Sequence, residues 1–248
     1  MAESMQAMIF AAGLGTRLKP LTDRMPKALV QVAGKPLLQR VIARFKEAGA
    51  EEIVVNVHHF FWQIIDYLKA NNNFGMNIKI SDETDNLLDT GGGLKKAAPL
   101  FDPQKPILIH NVDILSNVDL KLFYHLHADY QATLLVSKRK TKRYLLFDNN
   151  MRLVGWTNIE TGQVRSPYAD LDVSKCRQLA FSGIHIFSPS LFPLMSNFPE
   201  KFGIMDFYLK ICDKVVIKGY EKTDLHLMDV GKIDTLTDAD EFINKYIQ

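Results

Sequence analysis

Cysteine is scarce in this sequence: Cys176 and Cys212 are the two in 248 residues. They stand far apart, in no metal-ligand or redox spacing. That argues against a disulfide scaffold and fits a reducing, cytoplasmic compartment. An excess of one charge is lacking too. Thirty Lys and Arg face 28 Asp and Glu, a formal net charge of +2, unlike the basic footprint of a nucleic-acid binder. No long hydrophobic run opens the chain. Its first apolar stretch breaks at Gly13, too early for a signal peptide or a membrane span. What is present is 47% hydrophobic content over a length that allows a sizeable core. The chain reads as a soluble domain over residues 1–248, partnered by neither nucleic acid nor membrane. Its oligomeric state is not legible.

Apolar strands alternate with amphipathic helices through the first half. Strands are expected at 7–10, 53–57, 77–80, 107–110 and 132–137, and helices at 35–48, 61–68, 92–98 and 120–129. The residues Leu37, Leu38, Val41, Ile42 and Phe45 recur at helical spacing, and Gly49 is placed to end that helix. This alternation predicts an α/β fold with a mostly parallel sheet flanked by helices. The second half has a different texture. A hairpin is expected around Asp148-Asn149-Asn150, then strands at 179–187, 214–219 and 225–230 and helices at 189–195, 205–212 and 233–246. The expected division is a core at about 5–137 and 214–248, with a small antiparallel lobe at about 138–213.

Ligands of open α/β sheets bind at the carboxyl ends of the strands. The first strand runs into Ala11, Ala12, Gly13, Leu14, Gly15, Thr16 and Arg17, and Pro26-Lys27 follows. A glycine turn there brings backbone N–H groups to a phosphate, and Arg17 and Lys27 add charge. Arg17-Leu18 stands where a dinucleotide fingerprint has its third glycine, and no Gly-Lys-Ser/Thr ending marks a P-loop. Other strand ends carry Asp82-Glu83, Asn111-Val112-Asp113 and Asp229-Val230-Gly231. Asp113 and Asp229 suit Mg²⁺, which takes one or two carboxylates plus phosphate oxygens and water. The stretch Thr90-Gly91-Gly92-Gly93 reads as a glycine turn before a helix, where backbone approaches a base or ribose; a plain loop with Thr90 as N-cap reads equally well. His58, His59 and His185 read as structural, and Trp62 and Trp156 as packing residues.

These residues resemble the sugar-1-phosphate nucleotidyltransferase family. The resemblance rests on Gly13-Leu14-Gly15-Thr16-Arg17, Pro26-Lys27 and Gly34-Lys35-Pro36-Leu37. It continues through Thr90-Gly91-Gly92, Asn111-Val112-Asp113, Phe181-Ser182-Gly183-Ile184 and Asp229-Val230-Gly231, so it covers essentially the whole chain. The length and the stretch Asp89-Thr90-Gly91-Gly92-Gly93 look most like N-acetylmuramate 1-phosphate uridylyltransferases, with mannose- and heptose-1-phosphate guanylyltransferases close behind.

The resemblance implies a Rossmann-like, GT-A-like core with a sugar-binding lobe. It implies Mg²⁺-dependent transfer of a nucleotidyl group from UTP or GTP to a sugar 1-phosphate, releasing pyrophosphate. Arg17 then steadies the triphosphate, and Lys27 bridges the α-phosphate and the sugar phosphate. Asp113 and Asp229 hold the metal. Ala11, Ala12, Gly13, Gly15, Thr16 and Arg17 bind nucleotide, with Thr90, Gly91 and Gly92 opposite. Asn111 and Gly183 meet the sugar.

Three departures stand out. Val112 replaces a usual glycine and narrows the space beside Asp113. Lys232 replaces a small residue and reads as solvent-facing. The family's Glu-Lys pair for the sugar is not evident; Asn158, Glu160 and the basic run Lys138-Arg139-Lys140-Thr141-Lys142-Arg143 stand in its place, a run that reads first as a solvated loop, with Arg143 the candidate for an acidic substituent. A non-catalytic relative that binds nucleotide or sugar is the alternative these departures feed.

Overall fold

The structure is a computed structural model that describes residues 5–127 and 130–247. The first half holds strands β1 (Met5–Phe10), β2 (Gln31–Val32), β3 (Lys35–Pro36), β4 (Ala50–Val57), β5 (Asn77–Asp82), β6 (Ile107–Asn111) and β7 (Ile114–Ser116). Among them lie helices α1 (Leu37–Ala48), α2 (Phe61–Ala70), α3 (Asp89–Ala97) and α4 (Leu120–His125). The second half adds β8 (Ala132–Ser137), β9 (Arg143–Phe147), β10 (Leu153–Asn158), β11 (Gln163–Arg165), β12 (Arg177–Phe187), β13 (Ile217–Glu221) and β14 (Leu227–Asp229). Helices α5 (Ile204–Ile211) and α6 (Ile233–Tyr246) complete it.

One sheet runs β11-β10-β9-β12-β6-β1-β4-β5, with β8 on β12 and β13 on β8. The core strands β6, β1, β4 and β5 are parallel, as the strand–helix alternation predicts. Antiparallel pairing begins at β12, which meets β9 at 177–179, β8 at 180–181 and 185–187, and β6 at 184–187. Alternation along β1 divides the interior in two. Ala7 and Ile9 join a cluster with α1, α4 and α6, while Met8 and Phe10 join one with α3 and α5. The stripe on α1 is buried, and Gly49 ends the helix at φ 93°, its N–H bonded to Lys46 O and Phe45 O.

Several boundaries differ from expectation. Lys35 and Pro36 belong to a short hairpin, so α1 begins at Leu37. Pro193 lies within 189–197, which forms 3₁₀ turns rather than an α-helix. The expected helix at 120–129 ends at His125, and residues 128 and 129 lie outside the described ones. Trp62 is 51% exposed and packs in no core. Among the described residues, no helix is long and apolar enough to cross a membrane.

Candidate active site

The carboxyl ends of β1, β4 and β5 are tied together from below. Ala11 and Ala12 donate their N–H groups to Asn56 Oδ1 at 2.7 and 3.3 Å. Asn56 Nδ2 in turn donates to Glu83 Oε1 at 2.7 Å, and Leu88 N donates to Glu83 Oε2 at 3.1 Å. Glu83 is fully buried. Burial pushes its carboxyl pKa up, and the bonds from Asn56 and Leu88 pull it back. Glu83 therefore fixes the loop after β1 and the approach to α3 at once. Sequence reading named Glu83 only as a strand-end acid and passed over Asn56. The available signal was a polar residue inside the apolar run Ile53-Val54-Val55-Asn56-Val57.

The N–H groups of Ala11 and Ala12 are thus spent inside the protein. The donors open to an anion begin at Gly13. From there to Arg17, no backbone N–H has a protein acceptor among the described residues. A Cβ at Gly13 would meet nothing within 4 Å, whereas one at Gly15 (φ 64°) would lie 2.8 Å from Thr22 Cγ2. Gly13 borders open space, and Gly15 is a packing requirement. Thr16 and Arg17 lie exposed on the following 3₁₀ turn.

The glycines of α3 do not form the turn expected before a helix. They lie within the helix, which starts at Asp89 (φ 60°); nor is Thr90 the N-cap. A Cβ at Gly91 would come 2.3 Å from the Phe202 ring, one at Gly92 2.2 Å from Glu200 O, and one at Gly93 2.5 Å from Glu83 Oε1. Gly91 and Gly92 also donate their N–H groups to Phe202 O at 2.9 and 3.1 Å. These glycines answer to the protein's own close packing. Thr90 does line the cleft, and its Oγ1 accepts from Ile204 N at 2.9 Å.

Two acids face each other across the mouth. Asp113 follows β6, and Asp229 ends β14. The ladder between β7 and β14 pairs Ile114 with Asp229, and Val230 N donates to Asp113 O at 2.8 Å. Lys27 Nζ forms an ion pair with Asp113, the two side chains only 10% and 16% exposed. Partial enclosure raises the Asp229 pKa. Asp113 raises it further, while Lys27, Arg17 and Arg139 pull it down. Gly231 is the space between Asp229 and Arg17: a Cβ there would lie 2.5 Å from Asp229 Oδ1 and 2.7 Å from Arg17 Nη2. Four residues singled out in the sequence, Arg17, Lys27, Asp113 and Asp229, therefore converge. Among the described residues no group of three or more His, Cys, Asp or Glu is placed to hold a metal. Two hard carboxylates that repel each other suit a cation that takes its other ligands from phosphate and water.

A cleft of about 190 Å³ opens beside this pair, lined by Gly13, Lys27, Glu83, Thr90, Asn111 and Asp113 among others. Val112 also lines it, but is 3% exposed and belongs to the core cluster. Its side chain forms floor as well as narrowing. Asn111 and Gly183 meet: Gly183 has φ 79°, and a Cβ on it would lie 2.7 Å from Asn111 Nδ2. Lys232 is exposed at the head of α6. His58 Nδ1 lies 2.6 Å from Glu83 O. His185 is buried against Phe10, Phe181 and Tyr208, away from solvent.

Arg143 and Asn158 do not line this cleft. They pair across β9 and β10, and Asn158 Oδ1 accepts from Glu160 N at 3.0 Å, closing a turn. Another member of the basic run reaches the acids. Arg139 donates to Phe181 O at 2.9 Å and lies near enough to lower the Asp229 pKa. Arg139, not Arg143, is the member of that run placed toward the acids, because it leaves β8 beside Phe181 while Arg143 opens β9.

An α/β sheet with free N–H groups after its first strand, and two neighbouring acids of which one is paired with a lysine, has the layout of an enzyme working on nucleotide phosphates. The chain belongs to the nucleotidyl transferase family, which it matches over residues 6–246. It is 35% identical over 190 residues to the N-acetylmuramate alpha-1-phosphate uridylyltransferase of Neisseria meningitidis, covering 76% of this chain and 77% of that one. It is 46% identical over 109 residues to the Caulobacter vibrioides protein of the same name, 43% of this chain and 45% of that one. A UDP-glucose pyrophosphorylase complexed with UDP-glucose shares the fold, with TM-score 0.76 at 18% identity over 98% and 99% of the two chains.

Proposed function

We propose that this nucleotidyltransferase transfers UMP from UTP to N-acetylmuramate α-1-phosphate, giving the UDP-sugar and pyrophosphate. The observation that carries the reading is the convergence of Lys27, Arg17, Asp113 and Asp229 on one mouth of the cleft. The relatives named for uridylyl transfer to that sugar phosphate supply the substrates. A sugar-phosphate oxygen attacks the α-phosphorus in line. The new P–O bond forms as the bond to the β-phosphate oxygen breaks, and pyrophosphate carries off that electron pair. No covalent enzyme intermediate is needed; catalysis is alignment and charge neutralisation.

Each residue has a part in that alignment. The free N–H groups after Gly13 and the Arg17 guanidinium take the β- and γ-phosphates. Lys27 exchanges Asp113 for phosphate oxygens and links the α-phosphate to the attacking one. Ala12, Gly13 and Thr90 border the nucleoside, and Gly183 and Asn111 the sugar. Asp113 and Asp229 would hold Mg²⁺, which would supply neutralisation of phosphate charge.

The test is pyrophosphate release with Mg²⁺, crossing UTP, GTP, CTP, dTTP and ATP with N-acetylmuramate, glucose and mannose 1-phosphates. Release is expected with UTP and N-acetylmuramate 1-phosphate. Turnover confined to GTP and mannose 1-phosphate overturns the reading.

A further inference from the structure

A second depression lies on the lobe side of the acid pair. It measures about 370 Å³ and is lined by Lys138, Arg139, Lys140, Tyr144, Ile159 and Gln178. Its cations outnumber the acids near them. Glu221 takes Lys138, at 3.7 Å, together with Arg177; Glu160 takes Lys142 at 2.8 Å. That leaves Arg139, Lys140 and Arg143 without a carboxylate partner among the described residues. The loop that carries them is shaped from within. Thr141 N donates to Tyr144 Oη at 3.1 Å, and Arg143 N to Thr141 Oγ1 at 3.4 Å.

The position of this depression is what gives it meaning. Arg139 is anchored on Phe181 O, two residues before Gly183, and Gly183 touches Asn111 of the neighbouring strand, which lines the cleft. The depression therefore adjoins the acceptor side of the cleft. The reacting phosphates already have Lys27 and Arg17, so the unpaired cations here face a different anion. Arg139 spends one donor on Phe181 O and keeps the others, a planar fork that matches a carboxylate. Lys140 adds a mobile point charge beside it. We infer that Arg139 and Lys140 form a subsite for a carboxylate on the acceptor sugar, distant from its phosphate. The inference rests on the proposed function, whose sugar carries such a group on its lactyl ether, and it names what selects that sugar.

The experiment compares N-acetylmuramate 1-phosphate with N-acetylglucosamine 1-phosphate, which lacks the lactyl acid, at saturating UTP. For Lys140→Met the KM for the acidic sugar is expected to rise about tenfold or more, the worth of one charged hydrogen bond, while the KM for UTP and the kcat/KM for the neutral sugar stay near wild type. Arg139→Met, which also takes a cation away from Asp229, is expected to lose about tenfold more on the acidic sugar than on the neutral one. Lys140→Arg, which keeps the charge, stays near wild type with both sugars. Equal losses on the two sugars, or no loss on either, overturn the subsite and leave the proposed function standing. A wild-type enzyme that ignores the acidic sugar overturns the proposed function itself.

Discussion

The two walls of the cleft are built on opposite terms. On the core wall a committed network, Ala11 and Ala12 to Asn56, Asn56 and Leu88 to Glu83, Lys27 to Asp113, fixes the loop before any ligand arrives and so holds the open N–H groups from Gly13 to Arg17 in place. On the lobe wall Arg139, Lys140 and Arg143 form no ion pair with a carboxylate among the described residues. Phosphate transfer asks the same geometry of every substrate, and preorganised donors serve it best. Recognition of one sugar among many asks for donors still unspent. Under the proposed function and subsite, chemistry belongs to the first wall and selection to the second.

That contrast breaks if substitutions on the core wall spare turnover. Asp113→Asn removes one of the facing carboxylates and the partner of Lys27; kcat for pyrophosphate release is expected to fall about a thousandfold. An Asp113→Asn enzyme within tenfold of wild type would remove Asp113 from the reaction. Glu83→Gln comes next. Both Glu83 oxygens accept from donors already in place, so a Gln amide sets N–H against N–H. A loss of about 1–3 kcal/mol of stability is expected from chemical denaturation, together with a raised KM for UTP. Unchanged values of both would show that the network is not needed to hold the loop.

The committed wall also has an acid limit. His110 and His185 are buried, and burial lowers each pKa to about 3, with Arg44 adding to the effect at His110. The unfolded chain takes up these protons near pH 6.5 and the folded one does not, so stability is lost as pH falls from 6.5 toward 3. Each histidine costs about 2 kcal/mol by pH 5. Urea titrations of His185→Phe should show a shallower acid slope than wild type; an identical slope would mean that His185 charges freely in the fold. The smallest effect belongs to the lobe surface. Lys142 pairs with Glu160 in the open, the two side chains 70% and 53% exposed. Lys142→Ala should change stability by less than about 0.5 kcal/mol and leave the KM for either sugar unmoved.

The same contrast explains what the sequence could and could not tell. The parallel core was legible because periodicity is local: the α1 stripe, the strand runs and Gly49 each announce themselves within a dozen residues. Arg17, Lys27, Asp113 and Asp229 were legible because strand ends and charge types point to phosphate chemistry, and the structure brings them together. Glu83 was not, because its burial depends on Asn56, Leu88 and Gly93 arriving from three other segments. The glycines of α3 were misread for a similar reason. A glycine sequence signals close approach but does not name the neighbour, which here is Phe202 and Glu200. Arg139 was hidden among look-alike cations, and only the path from β8 to β9 singles it out.

The short ladder of β7 and β14 carries one more consequence. It sets the separation of Asp113 and Asp229 by strand register, although most of the lobe lies between them along the chain. Lengthening or rebuilding the segments that connect these strands leaves the register, and so the acid pair, where it is. One residue inserted within either strand would turn a carboxylate to the other face. The acid pair is thereby insulated from change elsewhere: in descent or in the laboratory, the segments between these strands are free to vary while the acids stay in register.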